Sequence, residues 1–192
     1  MTKETNSAIA ITDLNDKEAL FAKAGEYHAK EDFENMIPWL EKAAELGHVQ
    51  AKTNLGLCYF FGNGTEQNYE QAFELFEVAA SANNQTAKYY FGLCYLDGTG
   101  VEQDEDYAMR VLWKCAADGM PWAQFTVGEC YETGRVVKQD LFEAISWYAH
   151  AAETNIPEAQ KKYQELYYSN EFRDDAGNQR LFWFEEDNME EK

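Results

Sequence analysis

The residues best suited to chemistry in this 192-residue chain are four cysteines, three histidines and two Gly-X-Gly segments. Cys58, Cys94 and Cys130 follow one another at intervals of 36 residues, so they occupy the same position of successive repeats. Stacked helices lie ~8–10 Å apart, beyond the ~7 Å between Cα atoms that a disulfide spans. We therefore interpret the cysteines as reduced packing residues. The alternative is a redox or metal role, or a bridge that includes Cys115.

The histidines and glycines give weaker signals. His28, His48 and His150 do not share a position of the repeat, and none has a converging ligand three or four residues away. The segments 62–64 and 98–100 follow predicted helices and lack the Gly-Lys-Ser/Thr of a phosphate-binding loop. No nucleophile is paired with a base. We therefore expect no catalytic residue, no metal site and no cofactor, which indicates a non-enzymatic protein.

The charge balance narrows the class of partner. The chain has 16 basic and 35 acidic residues and a net charge of −19. This charge repels nucleic acid and anionic membrane surfaces, so a protein or peptide of basic character is the expected partner. The first apolar stretch, residues 8–11, is too short for a secretory signal, and no run approaches the ~20 apolar residues of a membrane span. These features favour a cytoplasmic protein.

An internal repeat of 36 residues organises the chain. Small, aromatic and thiol residues recur in the same order in three segments. The positions that share this register are Gly56, Gly92 and Gly128, then Tyr59, Tyr95 and Tyr131, then Ala72, Ala108 and Ala144. Such self-similarity is typical of stacked supersecondary units.

Each repeat contains two predicted helices. Apolar residues at helical spacing form one stripe from Ala87 to Tyr95 and a second from Ala108 to Ala116. Capping residues separate the stripes. Asn68, Asp104 and Asp140 suit the start of the second helix, whereas glycines and asparagines suit the helix ends. The predicted end positions are Gly47, Gly62, Asn83, Gly98, Gly119, Gly134 and Asn155. Gly92 and Ala108 are small because the two helices cross there.

The segments "LGLCYFFGNGTEQNYEQA", "FGLCYLDGTGVEQDEDYA" and "VGECYETGRVVKQDLFEA" carry a pattern that resembles the Sel-one-like repeat family, a longer-looped relative of tetratricopeptide repeats. The resemblance covers residues 17–169 and implies an all-α fold, a right-handed α-solenoid of antiparallel helix pairs whose concave side binds peptides or proteins. The third segment has Val136 where the others have Gly64 and Gly100, so its loop is expected to differ in shape.

The repeat register predicts the domain boundaries. We expect a flexible N-terminus over 1–16, a divergent tetratricopeptide-like unit over 17–50, and full units over 51–86, 87–122 and 123–158. A capping helix over 159–169 and an acidic C-terminal tail with an aromatic segment over 170–192 complete the chain.

Aromatic and aliphatic residues lie opposite the repeated stripe on each first helix, where polar residues are expected if only water faced them. We interpret these residues as a concave groove that binds a partner. Two other interpretations stay open: the protein's own tail, with Phe182 to Phe184, fills the groove, or these residues pack between units. The predicted partner-binding residues are Leu57, Phe60, Phe61, Tyr89, Tyr90, Leu93, Leu96, Trp122 and Phe125.

Three functions compete at this stage. The first is a non-enzymatic adaptor for protein–protein interaction through the aromatic groove. The second is an acidic inhibitor or immunity-type protein that blocks a basic enzyme, which the net charge of −19 motivates. The third and least supported is an enzyme acting on cell-wall peptides or β-lactams, as suggested by a secreted, cysteine-rich branch of the family. A homodimer through the tail or the groove is compatible with the sequence.

Overall fold

The computed structural model describes residues 15–168, which form nine α-helices and no strand. The expectations for the N-terminus over 1–16 and for the tail over 170–192 therefore fall almost entirely outside the described residues. The helices are α1 (Lys17–His28), α2 (Phe33–Glu45), α3 (Val49–Phe61), α4 (Tyr69–Ser81), α5 (Gln85–Asp97), α6 (Glu105–Ala117), α7 (Pro121–Thr133), α8 (Leu141–Ala152) and α9 (Pro157–Tyr167). None of these nine has the length and apolar composition that a membrane-spanning helix needs.

The chain divides into two compact units, which are described separately. The first unit ends at Cys115, and its described part runs from residue 15 through α1 to most of α6. The second begins at Ala116, and its described part contains α7, α8 and α9. Within each unit, consecutive helices are joined by short connections and pack side by side as antiparallel pairs.

Side-chain caps begin the second helices where the sequence predicts them. The Asn68 side chain accepts from the backbone N–H of Gln71 at 3.0 Å, and Asp104 accepts from Tyr107 at 2.9 Å. Asp140 caps α8 in the same way. These caps satisfy N–H groups that have no partner inside the helix. The three predicted caps are confirmed.

The first helices α3 and α5 begin two residues ahead of the alanines that head the repeats. His48 caps α3, because its Nδ1 accepts from the Ala51 N–H at 3.0 Å. Asn84 caps α5 by accepting from the Ala87 N–H at 2.9 Å. In α7 and α9 the first helical residue is a proline, and no side chain caps the helix.

Residues in the left-handed backbone conformation end the helices, as predicted. Gly62, Gly98 and Gly134 have φ angles of 72°, 68° and 74°. Gly47, Asn83, Gly119 and Asn155 also have positive φ angles. A second kind of hydrogen bond, which the sequence did not predict, closes the same helix ends. The side chains of three glutamines five residues beyond the glycine caps each donate to a carbonyl oxygen in the last turn of the preceding helix at 2.8 Å. They are Gln67, Gln103 and Gln139.

Small residues let the two helices of each repeat approach closely. A Cβ atom added to Gly92 would lie 3.0 Å from the Leu112 side chain, and one added to Gly56 would lie 2.7 Å from the Phe76 ring. Ala108 is fully buried in the same packing layer. The predicted reason for the small residues at 92 and 108 is confirmed.

A second set of glycines sets the distance between successive repeats in the first unit. A Cβ atom on Gly64 would lie 2.4 Å from the carbonyl carbon of Phe33, at the start of α2. A Cβ atom on Gly100 would lie 2.2 Å from the carbonyl oxygen of Tyr69, at the start of α4. The loop of each repeat therefore contacts the preceding repeat through bare backbone, which no other residue type permits.

Val136 adopts the conformation of the glycines that it replaces. Its φ angle is 66°, against 74° for both Gly64 and Gly100. The expectation that a valine would change the loop's shape is wrong for this backbone angle. A β-branched side chain in the left-handed region is strained, so the surrounding loop imposes this conformation on Val136.

The first and second helices of the repeats differ in how apolar residues are distributed. In α3, α5 and α7 apolar residues occur on all sides, whereas in α4, α6 and α8 they are concentrated on one face. A helix that is apolar all round is an interior helix. Within their own units, α3, α5 and α7 therefore have the composition of interior helices, and these helices also carry the predicted partner-binding residues.

We expect Gly100→Ala to lower the free energy of unfolding more than Gly47→Ala does. Both glycines have positive φ, so both substitutions incur the cost of a left-handed alanine, about 1–2 kcal/mol. Nothing lies within 4 Å of a Cβ on Gly47, whereas at Gly100 the backbone of Tyr69 must also shift. That displacement should cost about 1–3 kcal/mol more, measured by urea unfolding. Equal losses for the two variants would contradict the proposed contact.

We expect Val136→Gly to stabilise the protein. Glycine removes the left-handed strain of about 1–2 kcal/mol, and the greater flexibility of the unfolded chain offsets part of this gain. The expected increase in the free energy of unfolding is about 1 kcal/mol, measured in urea. Val137→Gly is the matched control, since Val137 lacks a positive φ and should lose stability. A loss in both variants would mean that Val136 contributes packing that outweighs its strain.

Candidate functional site

Three of the predicted partner-binding residues line one open cleft in the first unit. Leu57 and Phe61 of α3 and Tyr90 of α5 contribute to a cavity of about 290 Å³, together with His28 and Phe33. Met36, Cys58, Asn54 and Asn63 complete its lining. We call this the aromatic cleft. Its lining combines large apolar side chains with two amides that can donate to and accept from a peptide backbone.

Phe61 is the exposed anchor of the aromatic cleft. Its side chain is 53% exposed and contacts the Tyr90 ring edge to face, with ring centroids 6.0 Å apart. A large apolar side chain that is half in water can bury more surface when a partner covers it. Phe61 is therefore available for binding without unfolding of the surrounding repeat.

Phe60 and Tyr90 also hold the repeats together. Phe60 lies 5.5 Å from Tyr90 and 6.1 Å from the buried Phe76, and Tyr90 stacks on Phe76 at 5.3 Å. Both residues pack against the core that contains Ala72, Phe76 and Ala79. They are half-buried, and burial raises the pKa of the Tyr90 hydroxyl. These two rings thus connect Phe61 to the core of the repeat.

Two of the predicted residues are buried. Tyr89 is 8% exposed and Leu96 is 3% exposed, so neither offers an open surface. The physical reason is that α5 is an interior helix with apolar residues on all sides. Leu93 is half-buried and does not line the aromatic cleft. For these residues the structure favours packing, which sequence analysis had kept as one alternative.

The remaining two predicted residues lie in the second unit. Trp122 is 46% exposed, near the start of α7, and contacts Phe125 edge to face at 6.0 Å. Phe125 packs against a small core with Ala151, Ile156 and Ala159 and lies 5.4 Å from the Tyr148 ring. Trp122 is thus an exposed aromatic residue of the second unit, and neither it nor Phe125 lines the aromatic cleft.

The cysteines do not have the properties of reactive thiols. All four are buried, and none is assigned to a disulfide. Burial raises the pKa of Cys58 and of Cys94 to about 11, so both are protonated near neutral pH. Because the thiolate is the nucleophile and the metal ligand, these two residues act as packing residues. The interpretation as reduced packing residues agrees with this environment.

The histidines do not converge on a metal site. Among residues 15–168 no group of three or more histidine, cysteine or acidic side chains is placed to hold a metal ion. His48 has a structural role instead. Besides capping α3, its Nε2 lies 3.1 Å from the Glu18 carboxylate, and its ring stacks on Phe21 at 4.2 Å. His48 therefore ties α1 to the start of α3.

One cluster of titratable groups lies inside the second unit. Lys162 of α9 pairs with Glu132 of α7 at 2.9 Å, and the Tyr148 hydroxyl of α8 donates to Glu132 at 2.6 Å. Burial, and then the bond to Glu132, raise the pKa of Tyr148. Burial also raises the pKa of Glu129. The Tyr148 ring is fully buried, so the cluster joins three helices and does not form an open site.

A family model for the Sel1 repeat matches the chain four times. The matched residues are 39–48, 49–84, 86–118 and 123–154. These ranges follow the helix pairs α3–α4, α5–α6 and α7–α8, with a partial match over the end of α2. Sel1 repeats typically mediate protein–protein interaction, and proteins built from them are generally non-enzymatic scaffolds.

Solved structures share the fold. A Sel1 repeat protein from Oxalobacter formigenes is 25% identical, with a TM-score of 0.72 over 82% of this chain and 66% of that one. The protective antigen c5321 of uropathogenic Escherichia coli, which displays an SLR fold, is 26% identical, with a TM-score of 0.69 over 79% of this chain. This chain covers only 33% of the antigen's length.

A third solved structure shares the fold at lower similarity. The immunity protein Pa5087 of Pseudomonas aeruginosa is 23% identical, with a TM-score of 0.56 over 78% of this chain and 59% of that one. No curated protein matches the chain significantly. The predicted fold class, an all-α solenoid of antiparallel helix pairs, is confirmed. Because the repeat matches cover more than half of its residues, the chain belongs to the Sel1 repeat family.

Proposed function

We propose that the protein is a non-enzymatic adaptor that binds a peptide segment of a partner protein in the aromatic cleft. In this proposal Phe61 is the main anchor, Leu57 and Tyr90 form the walls, and the Asn54 and Asn63 amides face the partner's backbone. The observation that carries the proposal is the 53% exposure of Phe61 beside a cavity of about 290 Å³. Exposed aromatic anchors that enter or flank clefts are typical interaction hot spots.

The expected partner segment has basic character. Residues 53–87, which supply Leu57 and Phe61, contain four glutamates and no lysine or arginine. The whole chain has a net charge of −19. Opposite charge on the partner would raise the rate of encounter, while burial of the apolar side chains would slow dissociation. Tyr89 and Leu96 are buried residues of α5, and in this proposal they support the cleft without contacting the partner.

A second candidate is an acidic inhibitor that covers the active site of a basic enzyme. The charge of −19 favours it, and an immunity protein from Pseudomonas aeruginosa is built on the same fold. Affinity in this case would come mainly from charge and would fall steeply between low and moderate salt. Affinity that comes mainly from Phe61 would depend weakly on salt.

We expect Phe61→Ala to weaken binding of a partner that co-purifies with the protein and is then identified by mass spectrometry. Loss of a buried aromatic anchor should cost about 2 kcal/mol, roughly a thirtyfold increase in Kd, measured by calorimetry with the purified partner. Phe142→Ala is the matched control, because Phe142 is also a phenylalanine, is 55% exposed and lies in the second unit.

The adaptor proposal fails if the Phe61 and Phe142 variants bind equally well. Both side chains are about half exposed, so neither substitution should unfold the protein, and circular dichroism would check this. Equal binding combined with a steep loss of affinity in salt would favour the inhibitor. A partner that proves to be a second copy of the chain would make the aromatic cleft a dimer interface.

A further inference from the structure

The first unit contains a second cleft, and its charge is opposite to that of the protein as a whole. It has a volume of about 500 Å³ and lies between the end of α4, the first half of α5 and the face of α6. Three basic side chains line it, namely Lys88, Arg110 and Lys114. We call this the basic cleft. It shares no lining residue with the aromatic cleft.

The middle of the sequence is poor in positive charge, and its few basic residues lie at this cleft. Between Lys52 and Arg135 the chain has only three basic residues, and all three line the basic cleft. Lys88 is separated from Arg110 by more than twenty residues, so the fold brings them together. In a chain with more than twice as many acids as bases, such convergence marks a site for an anionic ligand.

The positions of these residues are unfavourable for the isolated helices. Arg110 and Lys114 are four residues apart on α6, where like charges destabilise a helix by a few tenths of a kcal/mol. Lys88 is the fourth residue of α5, close to the positive end of the helix dipole. The dipole favours only Lys114, in the last turn of α6. Asp106, four residues before Arg110 on α6, offsets part of the repulsion between Arg110 and Lys114, so helix energetics alone do not account for the cluster.

The cleft also has an apolar floor. Phe91, Val111 and the buried Cys115 line it, and Tyr107 contributes a ring that carries the Arg110 guanidinium 5.5 Å above its centroid. This cation–π contact holds the guanidinium beside the Tyr107 ring. Lys88 is oriented by a hydrogen bond from its ammonium group to the Asn83 side chain.

One acidic group, Glu77, lines the cleft together with the three basic side chains. The basic side chains can pair with carboxylates of a short ligand, while Glu77 limits the negative charge that the cleft accepts. The volume of about 500 Å³ is large enough for a few amino-acid side chains. The apolar floor favours a ligand that carries an apolar group next to its negative charge.

We propose that the basic cleft binds a short acidic peptide segment of a second partner, with carboxylates on Arg110 and Lys114 and an apolar side chain on Phe91 and Val111. Arginine and carboxylate groups form charge-assisted, often bidentate hydrogen bonds. The proposal does not rest on the proposed function of the aromatic cleft, since its ligand has the opposite charge and its lining residues are different.

The test is a titration of the full-length protein, labelled with ¹⁵N, with acetyl-Gly-Phe-Glu-Glu-Gly-amide, followed by NMR. We expect shifts of the backbone amides around Lys88, Arg110 and Lys114. The counterpart with two glutamines in place of the glutamates should bind about tenfold more weakly, because it lacks the charges that pair with the cations. Equal affinity for the two peptides would overturn the proposal.

Charge reversal provides the matched variants. R110E/K114E should weaken binding of the acidic peptide at least about tenfold, and both side chains are exposed, so the fold should be kept. K17E/K161E changes the net charge equally at exposed lysines outside the cleft and should alter binding by less than about twofold. Equal losses in the two variants would mean that only net charge matters, and the site would be rejected.

Two further measurements separate the alternatives. Inorganic phosphate that displaces the peptide at equal concentration would identify a simple anion site and overturn the assignment to a peptide. Phe61→Ala should leave binding of the acidic peptide unchanged, since Phe61 does not line this cleft. The two sites can therefore fail independently in the same set of experiments.

Discussion

The contact on which the first unit depends is the approach of a loop glycine to the backbone of the preceding repeat. Gly64 meets Phe33 and Gly100 meets Tyr69 at distances that exclude even a methyl group. This contact fixes the start of each second helix against the next repeat, and it thereby sets the separation of α3 and α5. The rings of Phe61 and Tyr90 meet across that separation, and Lys88 is placed on the other side of α5 by the same stacking.

Most of the fold could be predicted because its determinants recur every 36 residues. Glycine at 56 and 92 and the caps at Asn68 and Asp104 each have a local physical reason, and repetition makes that reason visible without a structure. The hydrogen bond from the Gln67 side chain to a carbonyl oxygen at the end of the first helix also recurs every 36 residues, at Gln103 and Gln139. It was missed because a glutamine in a polar loop has no distinctive pattern of its own. The conformation of Val136 was missed because propensity disfavours it, while the surrounding loop imposes it.

The candidate sites were less predictable, because a helical wheel shows which side of a helix is apolar but not what covers it. On α3 the wheel predicts that Leu57 and Phe61 are open to a partner, and both line the aromatic cleft. On α5 the wheel predicts the same for Tyr89 and Leu96, but both are buried, because an interior helix packs on more than one side. The basic cleft has no periodic signal at all. Lys88 and Arg110 come together only through the packing of α5 beside α6, which no spacing rule encodes.

The two clefts share α5, and this sharing limits how they can act. Tyr90 faces the aromatic cleft, and the next residue, Phe91, faces the basic cleft, about 100° further around the helix. A partner on either cleft therefore contacts one side of a helix whose other side remains accessible. The rings of both residues are braced by neighbours, Tyr90 by Phe76 and Phe91 by Phe73, so neither cleft needs to rearrange when the other is filled. An adaptor with both proposed ligands would hold them at the same time, whereas an inhibitor of a single basic enzyme would use one cleft alone.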